Sequence, residues 1–84
     1  MSSKNKVSGD DGFAIKIKSL REKKGWKQEK LASEARISQS EISKIENATI
    51  RVSEDIIEAL ADGLEVSYEF LIRNTSYASA LGIL

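Results

Sequence analysis

The sequence predicts an all-α fold of five helices, and three observations support this prediction. Proline, the residue that breaks helix interiors, is absent. The chain also lacks the runs of β-branched residues that favour strands. The strongest sign is an arrangement that occurs four times. An apolar residue precedes a position that can cap a helix, and a second apolar residue follows at the fourth helical position.

Composition limits the class of function. A chain of 84 residues is one domain. Without cysteine it has no disulfide and no thiolate metal site, and without histidine it lacks the commonest general base and metal ligand. We therefore expect neither a metal site nor a cofactor, and no enzymatic activity. No apolar run approaches the ~20 residues that span a bilayer, and the N-terminus does not resemble a signal peptide, so we expect no membrane and a cytoplasmic protein.

The first helix is predicted to follow a flexible N-terminal arm, residues 1–10, which is small and polar. Asp10 or Asp11 can cap this helix. Gly25 supplies the left-handed residue that ends it. One face of the helix carries apolar residues at the spacing i, i+4, i+7, namely Phe13, Ile17 and Leu20.

Hydrophobic staples mark the starts of the other four helices. The pairs are Trp26 with Leu31, Ile37 with Ile42, Val52 with Ile57, and Val66 with Leu71. In the third helix Ser38 and Glu41 add the pattern of a capping box. The predicted helices span residues 11–24, 28–35, 39–46, 54–62 and 68–73. Residues 11–73 thus form the folded domain, and residues 74–84 a C-terminal tail.

The charges are segregated although their sum is zero. Residues 1–51 contain twelve Lys or Arg and seven Asp or Glu, a balance of +5. Residues 52–84 contain one Arg and six Asp or Glu, a balance of −5. This distribution indicates a basic end that suits nucleic acid, or alternatively ordinary solvated helix faces.

The second and third helices are joined by a very short link, residues 35–38. Two helices can cross steeply over such a link only if their contact residue is small, and Ala32 meets that need. The solvent face of the third helix is then polar and contains no acidic residue: Gln39, Ser40, Ser43 and Lys44. Such a face suits the major groove of DNA, where these side chains can meet base edges. A solvated helix face is the alternative interpretation.

Three motifs resemble a known family: WKQEKLA at residues 26–32, ISQSEISKIEN at 37–47 and LADGLEVS at 60–67. Together they are similar to the lambda repressor/Cro and xenobiotic-response-element regulators over about residues 13–73. The resemblance implies a five-helix, lambda repressor-like DNA-binding domain with a helix-turn-helix. It also implies a homodimeric transcriptional regulator, in most cases a repressor, that reads a palindromic operator in double-stranded DNA.

The resemblance also implies roles for individual residues. Base edges would be read by Gln39, Ser40, Ser43 and Lys44, and phosphates would be bound by Gln28, Lys27, Asn47 and Arg51. Arg21 and Glu46 match a structural ion pair of the family. The chain departs from the family at Arg36 and Ala48, where glycine is common, and at Val52, where proline is usual. A left-handed backbone at a non-glycine residue costs roughly 1 kcal/mol. We therefore expect either a slightly reshaped turn or an added cation near the DNA at Arg36.

The fifth helix is expected to turn Phe70 and Leu71 inward. Exposed apolar residues would then form a dimer interface on this helix and the tail: Tyr68, Ile72, Tyr77 and Leu81. The alternative is that the tail folds back over its own domain. A rival function is an antitoxin-like or partner-docking module that binds another protein through its acidic C-terminal half. Salt dependence separates the two functions, because DNA binding weakens steeply with salt.

Overall fold

The computed structural model describes residues 9–80, with the backbone alone at 79 and 80. All regular structure in this range is helical: α1 (Asp11–Lys23), α2 (Gln28–Ala35), α3 (Gln39–Glu46), α4 (Glu54–Leu64), α5 (Tyr68–Ile72) and α6 (Ser76–Ala80). The five predicted helices are confirmed with their ends within two residues, and α6 is an additional short helix in the predicted tail. None of the helices described has the length and apolar character to cross a membrane.

Side-chain caps start four of the helices. The hydroxyl oxygens of Ser38, Ser53 and Ser67 accept hydrogen bonds from the amide three residues later, at 3.0, 3.3 and 3.0 Å. The carboxylate of Asp10 does the same for α1, at 2.9 Å. Lys27, which precedes α2, makes no such side-chain bond within the described residues. The staple pattern therefore located helix starts correctly because these caps are local to the sequence.

Four helix ends share one hydrogen-bond pattern, the Schellman motif. The first or second residue after the helix is left-handed, its amide donates to the carbonyl three residues back, and the next amide donates five residues back. The left-handed residues are Gly25, Arg36, Ala48 and Glu65. In the turn between α2 and α3, Arg36 has φ 61° and ψ 40°. The turn is therefore not reshaped, and Arg36 adopts the left-handed backbone that glycine adopts most easily.

The same residue often closes one helix and begins the staple of the next. Trp26, Ile37 and Val66 each donate the second bond of a Schellman motif, and each precedes the cap of the following helix. All three are half-buried against the core. Each tight connection thus fixes two helix axes at once, which explains why such short links orient the helices.

The core lies where α2 packs on α3 and α4, and where α1 packs on α3 and α5. Its fully buried large side chains are Phe13, Ile17, Leu31, Ile42, Ile57, Leu60, Leu64, Leu71 and Ile72. The approach of α4 to α2 is close at Gly63, where an added Cβ would lie 3.0 Å from the backbone nitrogen of Ala35. Gly63 lies inside α4 rather than at its end, so α4 extends to Leu64, beyond the predicted residue 62.

The C-terminal part of the core corrects several predictions. Phe70 is 39% exposed rather than inward, whereas Ile72 and Tyr77 are 0% and 5% exposed. The prediction that Ile72 and Tyr77 face outward in a dimer interface is therefore wrong. The reason is α6, which packs back on α5 and places the Tyr77 ring edge-on to Phe13, with centroids 5.0 Å apart. Tyr68 is half-buried, and the predicted interface residue Leu81 lies outside the described residues.

The left-handed backbone at Arg36 leads to a prediction about stability. Arg36→Gly should raise the free energy of unfolding by about 0.5–1 kcal/mol, because relief of the steric strain exceeds glycine's extra freedom in the unfolded chain. Urea unfolding followed by far-UV circular dichroism measures this change. Arg36→Ala is the matched control, since it removes the charge but keeps the strain, and it should give no gain. Equal gains from both variants would contradict the prediction.

Candidate nucleic-acid interface

Helix α3 has one buried and one exposed side. Ile42 and Ile45 are 0% and 2% exposed and anchor the helix to the core. On the other side the predicted base-facing residues Gln39, Ser40 and Lys44 are exposed, and Ser43 is half-buried beside them. The structure thus brings all four onto one polar face. Amide, hydroxyl and ammonium groups supply both donors and acceptors for base edges, and an α-helix fits the width of the major groove.

The start of α2 lies next to the end of α3. Gln28 is the first residue of α2, and its side-chain Nε2 donates to Glu46 Oε1 at 3.0 Å. Its backbone amide belongs to the first turn of a helix, where N–H groups point outward and attract anions. Lys27 is exposed immediately before it. The arrangement suits a phosphate group held by the helix terminus and a neighbouring cation.

Arg21 and Glu46 form the ion pair that the resemblance implied. Arg21 Nε donates to Glu46 Oε2 at 2.7 Å and Nη2 donates to Oε1 at 3.0 Å, while Nη1 donates to the carbonyl of Trp26 at 2.7 Å. The two side chains are 10% and 3% exposed. The hydrogen bond to Glu46 outweighs the effect of burial and raises the pKa of Arg21. This network joins α1, the α1–α2 turn and the end of α3.

The loop that follows α3, residues 47–52, we call the exit loop. Asn47 is exposed, and Ala48 is left-handed with φ 58°. Arg51 is also exposed, and its guanidinium lies 4.4 Å from the centroid of the Tyr77 ring. Arg51 Nη2 donates to Ser76 Oγ at 3.2 Å. Sequence reasoning missed these two partners of Arg51, because they lie twenty-five residues or more away in the predicted tail and follow no local pattern.

Exposed cations flank the polar face of α3 along the chain. Lys27 precedes α2, Arg36 occupies the turn before α3, Lys44 lies on α3 and Arg51 follows it. The acidic excess of the sequence begins only after Arg51, with Glu54 in the first turn of α4. Residues 27–51 contain five Lys or Arg and four Asp or Glu, but only two of these carboxylates, Glu29 and Glu34, are exposed, whereas all five cations are. The exposed side chains around α3 therefore keep a small cationic excess, which suits a polyanion.

These features define a helix-turn-helix domain. Two short helices are joined by a tight left-handed turn, and the second presents a polar, non-acidic face next to the exposed start of the first. The comparison with known families agrees: the helix-turn-helix family HTH_3 matches residues 17–71. The chain belongs to this family. No curated protein matches the chain.

Solved structures add more specific similarities. The restriction-modification controller protein C.AhdI from Aeromonas hydrophila is 30% identical, with a TM-score of 0.70, over 73% of this chain and 92% of that one. A mutant of the controller protein C.Esp1396I, bound to its highest affinity operator site, is 33% identical, with a TM-score of 0.67, over 75% and 88%. An HTH_3 family transcriptional regulator from Vibrio cholerae, 23% identical with a TM-score of 0.71 over 76% and 36%, shares the fold.

The burial of Glu46 leads to a second prediction about stability. Arg21→Met should lower the free energy of unfolding by about 3 kcal/mol, because it leaves a buried carboxylate without its cation. The double variant Arg21→Met, Glu46→Met should recover most of this loss, since it removes both charges and keeps apolar volume. Urea unfolding of the parent and the variants measures both effects. If the double variant is no more stable than Arg21→Met, the unpaired Glu46 carboxylate is not the cause of the lost stability, and the prediction is contradicted.

Proposed function

We propose that this chain is a sequence-specific, DNA-binding transcriptional regulator that acts as a dimeric repressor and reads a palindromic operator with α3. The observation that carries the proposal is the two-sided character of α3. Its apolar side is locked into the core. Its exposed residues, Gln39, Ser40 and Lys44, are polar and include no carboxylate, and cations flank them. Such a helix can enter the major groove without repelling phosphate and can distinguish base pairs there.

The comparisons support the class of function. The chain belongs to the helix-turn-helix family and is 30–33% identical to restriction-modification controller proteins, one of which is bound to its operator. It is a DNA-binding transcriptional regulator. We further propose that it shares the domain design of the controllers, because the match covers 92% of C.AhdI.

We assign two kinds of DNA contact. Gln39, Ser40, Ser43 and Lys44 read bases, because they are the polar side chains on the exposed face of α3. Phosphates are bound on both sides of α3, by Lys27 and Gln28 at the start of α2 and by Asn47 and Arg51 in the exit loop. Contacts to phosphate position the protein but carry no sequence information, whereas contacts to base edges specify the site. This division makes the two groups experimentally distinguishable.

Lys44→Ala should weaken binding to the preferred site by about 1–3 kcal/mol and scarcely change binding to random DNA. Lys27→Ala should instead weaken both to a similar degree, because it removes an exposed phosphate-binding cation and leaves the bond from Gln28 to Glu46 intact. Fluorescence anisotropy with a duplex selected from randomised DNA, at several salt concentrations, measures these effects. If both variants bind the selected duplex like the parent, the assigned DNA face is wrong. Salt-independent affinity would favour the protein-docking alternative.

We propose that dimerisation uses the exposed face of α5. With Ile72 and Tyr77 buried, the large exposed apolar side chains of the described residues are Phe70 on α5 and Ile15 on α1. Lys16 connects these helices, since its ammonium donates to the carbonyls of Phe70 and Arg73 at 2.8 Å each. For such a dimer to read both halves of a palindromic operator, its two copies of α3 must lie about 34 Å apart, one turn of DNA.

Phe70→Ser should shift the parent dimer toward monomer, because it removes the apolar centre of the proposed contact. Folding should be retained, since the side chain lies outside the fully buried core. Sedimentation equilibrium at micromolar concentration measures the molecular mass. Ile15→Ser is the matched control, an exposed apolar side chain on α1, and should leave association unchanged. A monomeric parent, or a dimer weakened only by Ile15→Ser, would contradict the proposed interface.

A further inference from the structure

Both ends of the described chain meet the exit loop. The amide of Gly9 donates to the carbonyl of Ala48 at 3.2 Å. A Cβ added at Gly9 would lie 2.6 Å from the carbonyl oxygen of Ile50, so the close approach requires glycine. From the other side, the Tyr77 hydroxyl accepts a hydrogen bond from the amide of Val52 at 3.1 Å. The loop is therefore held from two sides by segments that lie outside the five-helix domain.

Asp10 ties these two segments together. One carboxylate oxygen caps α1 by accepting from the amide of Phe13 at 2.9 Å, and the other accepts from the amide of Ser76 at 2.7 Å, at the start of α6. Burial by itself would raise the pKa of Asp10, but the hydrogen bonds from the amides of Ser76 and Phe13 outweigh it and lower the pKa. The carboxylate is therefore charged at neutral pH. It binds the first amide of α6, and Thr75 Oγ1 accepts from the second, that of Tyr77, at 3.2 Å.

Arg51 is held by α6 at two points. Its guanidinium lies over the Tyr77 ring, 4.4 Å from the centroid, and Nη2 donates to Ser76 Oγ at 3.2 Å. A guanidinium has five N–H donors, and stacking on a ring leaves its in-plane donors accessible. A flexible, exposed cation is thereby pre-ordered beside the phosphate-binding side of α3. Pre-ordering reduces the side-chain entropy that binding would otherwise cost.

We infer that Ser76 and Tyr77 are positioning residues for DNA binding, and that α6 holds Arg51 and the exit loop in the geometry that contacts a phosphate. This inference rests on the proposed function, because it assumes that Arg51 meets DNA. A purely structural α6 would need only an apolar ring to pack against Phe13. The exposed bond from Arg51 to the Ser76 hydroxyl is not needed for such a cover, and neither is the pairing of Val52 with the Tyr77 hydroxyl.

Ser76→Ala is the most direct test, because Ser76 is exposed and the substitution keeps the backbone amide that binds Asp10. It should weaken binding to the selected duplex and to random DNA alike, by about threefold to tenfold, the gain from pre-ordering one long side chain. Ser76→Thr retains the hydroxyl and should restore parental affinity. Ser19→Ala, an exposed serine on α1, is the matched control and should bind like the parent.

A double-mutant cycle with Arg51→Ala distinguishes positioning from a general structural role. If α6 acts through Arg51, Ser76→Ala should have no further effect in the Arg51→Ala background. Tyr77→Leu, which removes the stacked ring, should likewise lose its effect on DNA affinity there. If Tyr77→Leu fails to fold, the cycle with Ser76→Ala still decides between the two roles. Urea unfolding should show that Ser76→Ala is as stable as the parent.

The outcomes separate this inference from the proposed function. If Lys44→Ala loses operator affinity while Ser76→Ala binds like the parent, the proposed function holds and the inference is overturned. The inference is also overturned if Ser76→Ala weakens binding equally with and without Arg51. If Lys44→Ala and Arg51→Ala both bind like the parent, the DNA face itself is wrong, and the inference fails with it.

Discussion

The buried ion pair of Arg21 and Glu46 is the interaction on which the DNA-facing surface depends. The Glu46 side chain is only 3% exposed, so its carboxylate needs protein donors, and three N–H groups supply them: two from Arg21 and one from Gln28. The third nitrogen of the Arg21 guanidinium binds the carbonyl of Trp26. The Glu46 carboxylate and the Arg21 guanidinium thus connect the end of α3 to the start of α2 and to the α1–α2 turn. Because an uncompensated buried charge is costly, these three segments hold one arrangement.

The helix-turn-helix could be predicted from sequence because its determinants are local. Caps and staples act over three to five residues, so Ser38, Ser53 and Ser67 mark their helix starts in the sequence itself. Helix ends are less visible here, since the left-handed position that glycine usually marks is filled by Arg36, Ala48 and Glu65. Conversely, Gly63 does not end α4; it serves the contact with α2, which depends on a neighbour distant in sequence.

The C-terminal segment could not be predicted because its determinants are distant in sequence. The first amide of α6, that of Ser76, binds Asp10, sixty-six residues earlier. Thr75 Oγ1 adds a local cap by accepting from the amide of Tyr77, but no hydrophobic staple accompanies it in the sequence. Helix α5 has five residues, little more than one turn, so periodicity cannot decide which side is inward. Once Tyr77 packs against Phe13, the side of α5 that carries Ile72 is covered, and Phe70 is left at the surface beside Lys16.

The charge segregation acquires a structural meaning from this arrangement. The boundary between the basic and acidic parts of the chain falls at Arg51, inside the exit loop, and α4 then begins with Glu54 and Asp55. Carboxylates in the first turn of a helix are favoured by its dipole. Glu54 and Asp55 therefore stabilise the start of α4, although they would repel DNA. DNA can therefore approach α3 but is disfavoured at α4, and the last cation before this boundary is also the one that α6 orders. A chain with no net charge can thereby present exposed cations to a polyanion next to the helix that reads it.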